Sequence, residues 1–167
     1  MTIHIGADHA GYEMKEFLKK ELEILDYEVI DYGAKELNTD DDYPDFVIPC
    51  VRAIAEDLEQ NEGQEVSKNL GIIIGASGQA ESMCANKIKG IRAGVYYGGE
   101  NTQTDIKGNN LDMVSSLRKH NNANILSLGA RFMTNEQAIE AVKIFIETEF
   151  SGDERHIRRI NKLESES

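Results

Sequence analysis

Apolar residues along the chain fall into two alternating rhythms. In TIHIGA (2–7) and LGIIIGA (70–76) they run almost unbroken, as expected of strands in a parallel sheet covered on both faces. YEVIDYGA (27–34), IRAGVYYG (91–98) and NILSLGARF (124–132) read as three further strands. Between them the apolar positions recur at helical spacing, with Tyr12, Phe17, Leu18, Leu22 and Leu25 over 11–26 and Phe46, Val47, Val51, Ile54 and Leu58 over 45–60. Pro44 suits the start of that second helix. A third helix begins near Gly78 and a short one precedes the fifth strand. NEQAIEAVKIFIETEF (135–150) is amphipathic, with Asn135 as its expected cap. The acidic run 36–42 reads as a loop and NEGQEVSK (61–68) as a polar surface excursion.

Strand alternating with helix five times predicts an open parallel sheet with helices on both faces. Such sheets bind ligands beyond the carboxyl ends of their strands, and the sequence puts reactive side chains there. Strand one ends in Asp8 and His9, strand two leads to Tyr43, strand three to Ser77 and Glu81, strand four to Tyr97 and strand five to Arg131. GADHAG after strand one does not spell the G-x-G-x-x-G of a dinucleotide site.

Charge narrows the partners. With 18 Lys plus Arg against 30 Asp plus Glu, the formal charge is -12, a field that repels nucleic acid and anionic membrane surfaces. An anionic small molecule would need a local basic pocket. RHIRRINK (155–162) supplies basic residues in this acidic chain, and Arg155 and Arg159, four apart, would share a helix face where guanidinium groups clamp a phosphate. A solvated cationic face is the competing reading. No apolar run approaches the roughly 20 residues that cross a bilayer, and 167 residues fit one domain, 1–167. Cys50 and Cys84 both sit in helical segments, which with the N-terminal sequence suggests a reducing, cytoplasmic protein.

Each candidate has a bland reading. Asp8 and Ser77 could be caps, and His9 could be packing. Glu81 is out of register for a capping box with Ser77, because Ala80 stands three residues on, although the first turn of a helix favours an acid in any case. Cys84 lies among apolar neighbours, where a thiol is usually an inert small hydrophobe. His120 and Asn121 fall in the loop before strand five, and a lone histidine is more often structural. The four histidines, 4, 9, 120 and 156, show no paired metal-ligand spacing.

GADHAGYEMK, DYPDF, GASGQAESMCANK with GIRA, and RKHNNANILSLGAR together resemble the ribose-5-phosphate isomerase B family, which includes galactose-6-phosphate isomerase subunits. The resemblance implies a Rossmann-like three-layer α/β sandwich with a five-stranded parallel sheet and a C-terminal helical extension. It also implies aldose–ketose isomerisation through a cis-enediol with neither metal nor cofactor, in a homodimer or homotetramer with active sites shared between subunits. The basic segment 152–162 would then contact a neighbour. In one branch the base is a cysteine ending strand three, where this chain has Gly75. In another, G-S-G-x-G-E carries a glutamate base, matched here by Ser77, Gly78 and Glu81, with Ala76 and Ala80 departing from the usual glycines.

By position, the family's roles fall on Glu81 as base, Ser77 and Asn121 as stabilisers of charge on substrate oxygens, and His120 in ring opening. Asp8 and His9 would contact the sugar, as would Tyr43 and Gly78, and Arg131, Arg155 and Arg159 would hold the phosphate. An insertion at 98–116 beside the site makes ribose 5-phosphate the leading substrate and a hexose 6-phosphate (galactose or allose) the alternative. A weakly active sugar-phosphate-binding subunit that needs a partner chain is a reading of another class.

Overall fold

The computed structural model describes residues 1–60, 69–99, 104–105 and 107–165. The expected excursion at 61–68 and residues 100–103 and 106 of the 98–116 insertion lie outside them. The strands are β1 (Thr2–Ala7), β2 (Glu28–Asp31), β3 (Leu70–Gly75), β4 (Ala93–Tyr96) and β5 (Ile125–Gly129). The helices are α1 (Tyr12–Ile24), α2 (Pro44–Gln60), α3 (Gln79–Ala85), α4 (Met113–Asn121), α5 (Asn135–Glu147) and α6 (Glu154–Glu164). The five strands form one parallel sheet in the order β2-β1-β3-β5-β4, so the α/β sandwich read from the sequence is the fold observed. The connections leave β1 in one direction and β3 in the other, which makes the gap beyond their carboxyl ends the switch point where this topology opens a crevice.

The pleat explains the unbroken apolar runs. Ile3, Ile5 and Ala7 of β1, Ile72 and Ile74 of β3, and Leu126 and Leu128 of β5 face the layer built from α1, α4 and α5. Ile73 and Ile125 face the opposite way, toward Val47, Cys50, Val51 and Ile54 of α2 and Ala85 of α3. Both faces of the central strands are therefore apolar, and alternation survives only at the edges, as in the exposed and half-buried positions of β2.

Two details differ from the sequence expectation. The cap of α5 is Thr134, not Asn135: its hydroxyl accepts from the Gln137 amide while the Gln137 side chain accepts from the Thr134 amide, a reciprocal pair that Asn135 could not complete. His120 and Asn121 are not in a loop. They form the last turn of α4, which Asp112 caps through the Ser115 amide and Asn122 ends in a left-handed conformation.

The loop leading from β2 toward the site is anchored by a fully buried cation. Lys15 of α1 donates to Asp31 at 2.7 Å and to Glu16 at 2.5 Å, and Lys19 joins the same two carboxylates. A buried ammonium is tolerated only when paired in this way, and the pair pins the end of β2 against α1.

Candidate active site

At the switch point, β3 runs into α3 through Gly75–Gly78. Gly78 is left-handed (φ 73°), and a side chain there would press on Leu128 of β5, so a glycine is required. Its carbonyl accepts from the buried Ser127 hydroxyl at 2.6 Å, which fixes the turn against β5. Ser77 does not cap α3. The cap position belongs to Gly78, and the Ser77 hydroxyl takes only a long 3.4 Å contact from the Gln79 amide, leaving it available to a ligand.

The turn carries Glu81 inward. Its side chain is buried at 4% exposure, one carboxylate oxygen has no hydrogen-bond partner among the described residues, and the carboxylate lies directly over Gly75. A Cβ at residue 75 would fall 1.9 Å from Glu81 Oε1. The point where a cysteine base would project from the end of β3 is thus the point the Glu81 carboxylate occupies. Burial pushes the Glu81 carboxyl above its ordinary value, its own backbone N–H counteracts this, and nearby Asp8 adds to the rise. Desolvation outweighs the preference of a helix start for the ionised form.

Asp8 and His9 follow β1. Asp8 Oδ1 accepts from the Ala10 and Gly11 amides, so one oxygen has the local turn role and the other is free of it. His9 Nδ1 lies 2.6 Å from Asp41 Oδ1, which also accepts from the His9 amide at 3.1 Å. Arg131 follows β5, is exposed, lies close enough to influence His9, and has its amide bonded to the Ala76 carbonyl. Tyr43 stands just before α2, its ring packed against the apolar layer that includes Ile73 and Cys84. Tyr97, beyond β4, accepts a 2.6 Å bond from Gln79 and meets Phe132 edge-on. Cys84 is half-buried beside that layer, and burial raises its thiol pKa, the opposite of an activated nucleophile.

The remaining candidates are elsewhere. His120, Asn121, Arg155 and Arg159 line a groove of about 680 Å³ with Arg92 and His156, beside Ala93 at the start of β4 and Ala123 just before β5. This is the amino edge of the sheet, opposite Glu81. The His120 and His156 rings are 4.8 Å apart, and His156 is buried with the Ser151 hydroxyl 2.9 Å from its Nδ1. Arg92 secures the groove: its guanidinium donates to the carbonyls of Gly90, Asn121 and Asn122 and to the Glu164 carboxylate, tying α4 to α6. Within one chain the predicted residues therefore form two separate groups.

Sequence reasoning missed Asp41, Arg92 and His156. Asp41 was hidden in an acidic run, Arg92 sat within an expected strand, and His156 was weighed only for metal spacing. Among the described residues, Asp8, His9 and Asp41 are the one group of metal-ligand type, with atoms within 4.8 Å. The histidine nitrogen in it is already engaged by Asp41, which suits a hydrogen bond better than an ion.

A doubly covered parallel sheet with a buried, half-unpartnered carboxylate at its switch point defines an α/β enzyme equipped for proton transfer. A family model described as Ribose/Galactose Isomerase matches residues 3–163, and the chain belongs to that family, in its ribose-5-phosphate isomerase B group. Ribose-5-phosphate isomerase B of Mycobacterium tuberculosis is 34% identical over 163 residues, covering 98% of this chain and 88% of that protein. The crystal structure of the Mycoplasma genitalium enzyme with bound ribulose-5-phosphate superposes with a TM-score of 0.81 at 30% identity, covering 99% of this chain and 95% of that one. The Clostridium thermocellum ribose-5-phosphate isomerase B gives 0.80 at 34% identity, covering 99% and 96%.

Proposed function

We propose that the protein interconverts ribose 5-phosphate and ribulose 5-phosphate, with Glu81 as the base. The observation that carries the reading is the Glu81 carboxylate itself, buried, unpartnered at one oxygen among the described residues, lodged over Gly75 and close enough to Asp8 to feel its charge. Glu81 removes the C2 proton of the open aldose as the C1–C2 double bond forms and the C1 oxygen gains a proton. The O2 proton then leaves, C2 becomes the carbonyl carbon, and Glu81 returns its proton to C1. Ser77 and Asn121 stabilise charge on the oxygens during this exchange, and His120 moves the proton that opens the sugar ring. The relatives reported above are named for the pentose phosphate, which favours it over a hexose 6-phosphate.

The two groups of residues are halves of one site completed by a second copy of the chain. Glu81, Asp8, His9 and Arg131 come from one copy, and His120, Asn121, Arg155 and Arg159 from the other, so segment 152–162 of the single domain 1–167 serves a neighbour. This removes the conflict between a set of cooperating residues and their placement on opposite sheet edges. The two free thiols fit a reducing, cytoplasmic setting, and among the described residues no helix is long and apolar enough to cross a membrane.

The test is complementation. Glu81→Gln and His120→Asn proteins, each inactive alone, are mixed, unfolded and refolded together. Shared sites in a dimer predict recovery of about a quarter of wild-type activity, because half the dimers are mixed and each of these holds one intact site. No recovery would place all the machinery in one chain.

A further inference from the structure

Asp41 performs a task that no role above assigns. It comes from the loop before α2, is only 9% exposed, and directs Oδ1 at both the Nδ1 and the amide of His9, while its Oδ2 is buried without a hydrogen-bond partner among the described residues. A carboxylate can only accept, so the Nδ1 of His9 must carry a proton. In a neutral ring Nε2 would then be a bare acceptor, unable to meet a phosphate oxygen favourably. Only the doubly protonated ring presents an N–H on that side as well. Nε2 has no hydrogen-bond partner among the described residues.

We propose that Asp41 is a positioning residue that holds His9 as an imidazolium, so that its Nε2–H becomes a charged donor for the phosphoryl group of the substrate. The proposal rests on the reading that His9 meets the substrate. The groups facing His9 are Asp41 from the loop before α2, Asp8 from the end of β1 and Arg131 beyond β5. The Asp41 hydrogen bond is the largest influence and raises the pKa of the ring; exposure to the two carboxylate charges adds to it, while partial desolvation and Arg131 oppose it. Arg131 and a charged His9 would together give this acidic chain two cationic contacts for a dianion on the same sheet edge as Glu81. Selection for a phosphorylated sugar would then begin in the half-site that also holds the base.

Two measurements test this. In the ¹⁵N-labelled wild-type protein, the His9 ring, assigned by its loss in His9→Gln, should titrate with a midpoint above the ordinary 6.5; a midpoint at or below that value overturns the proposal without any variant needing to fold. Steady-state kinetics with ribose 5-phosphate then compare Asp41→Asn and wild type at each pH from 6 to 8.5, so that the substrate's own ionisation cancels. The ratio of KM values should rise with pH between the His9 midpoint of the variant and that of wild type, towards the roughly tenfold loss expected of one charged donor, while kcat changes less than about threefold. A KM ratio equal at every pH would make Asp41 merely structural and overturn the proposal. His9→Gln should raise KM about tenfold at pH 6, where the ring is charged; an unchanged KM there would instead remove the reading that His9 meets the substrate, and the proposal with it.

Discussion

The two proposed half-sites are built from opposite materials. At the carboxyl edge the key groups are buried on short connections fastened to the central strands: Glu81 and Asp8 are each less than a tenth exposed, and the turn before α3 is tied to β5 through Ser127. At the amino edge His120, Asn121, Arg155 and Arg159 are all exposed, on helices held at the sheet margin by Arg92. Burial is what proton chemistry needs, because it lifts the carboxyl pKa of Glu81 toward its working range. Exposed arginines suit recognition, since they stay charged in water and are desolvated only when the anion arrives. In the shared-site reading, an acidic chain can serve an anionic substrate because Arg155 and Arg159 add their charge from the second copy to that of Arg131 beside the base.

The sharpest way to break this comparison is Glu81→Gln. Activity should fall by about 10²–10⁴-fold, the usual range for a positioned base, while sugar-phosphate binding measured by calorimetry persists. The wild-type enzyme should also lose kcat on the acid side at a pH above the usual carboxylate range, because a raised pKa means Glu81 takes up its proton sooner as pH falls. The same shift has a stability sign. With the folded pKa above the unfolded one, the buried charge penalises the fold at pH values above both and costs nothing below them. Glu81→Gln should therefore raise the melting temperature at pH 8 by about 2–4 °C per kcal/mol relieved and leave it unchanged at pH 4; no difference between the two pH values would contradict burial as the cause.

Arg159→Ala comes next and should separate recognition from chemistry. KM for ribose 5-phosphate should rise about tenfold or more with kcat little altered, as expected for loss of a charge-assisted contact. Gly75→Ala probes the other side: its methyl group must displace the Glu81 carboxylate, so kcat should fall about tenfold with KM held. The smallest effect belongs to Cys84→Ala, less than about twofold in kcat/KM, because its thiol is shifted away from reactivity and lies outside the proposed machinery.

Much of the fold was legible because the central strands are apolar on both faces and therefore stand out as runs such as LGIIIG. Glu81 was legible too, since it follows a strand and is out of register for a capping box. The helical state of His120 was not, because RKHNNAN is polar and asparagine-rich, and what makes it a helix end is a cap eight residues upstream together with Asn122 in a left-handed turn. Its edge could have been deduced: in a parallel sheet, residues that precede a strand lie at the amino edge, and His120 precedes β5 just as Ser77 follows β3. Asp41 was invisible among its acidic neighbours, since only the folded loop distinguishes the one carboxylate that reaches His9.

The overlap between the Glu81 carboxylate and the space above Gly75 has a consequence for descent. One pocket can receive a reactive group from either of two chain positions, six residues apart, and has room for only one. A lineage with the glutamate at 81 cannot gain a side chain at 75 without a collision, and cannot drop the glutamate first without an empty pocket. A side chain gained at 75 would therefore push aside the flexible end of Glu81 rather than share the pocket with it, so the two positions are coupled and a change at one alters what the other can do.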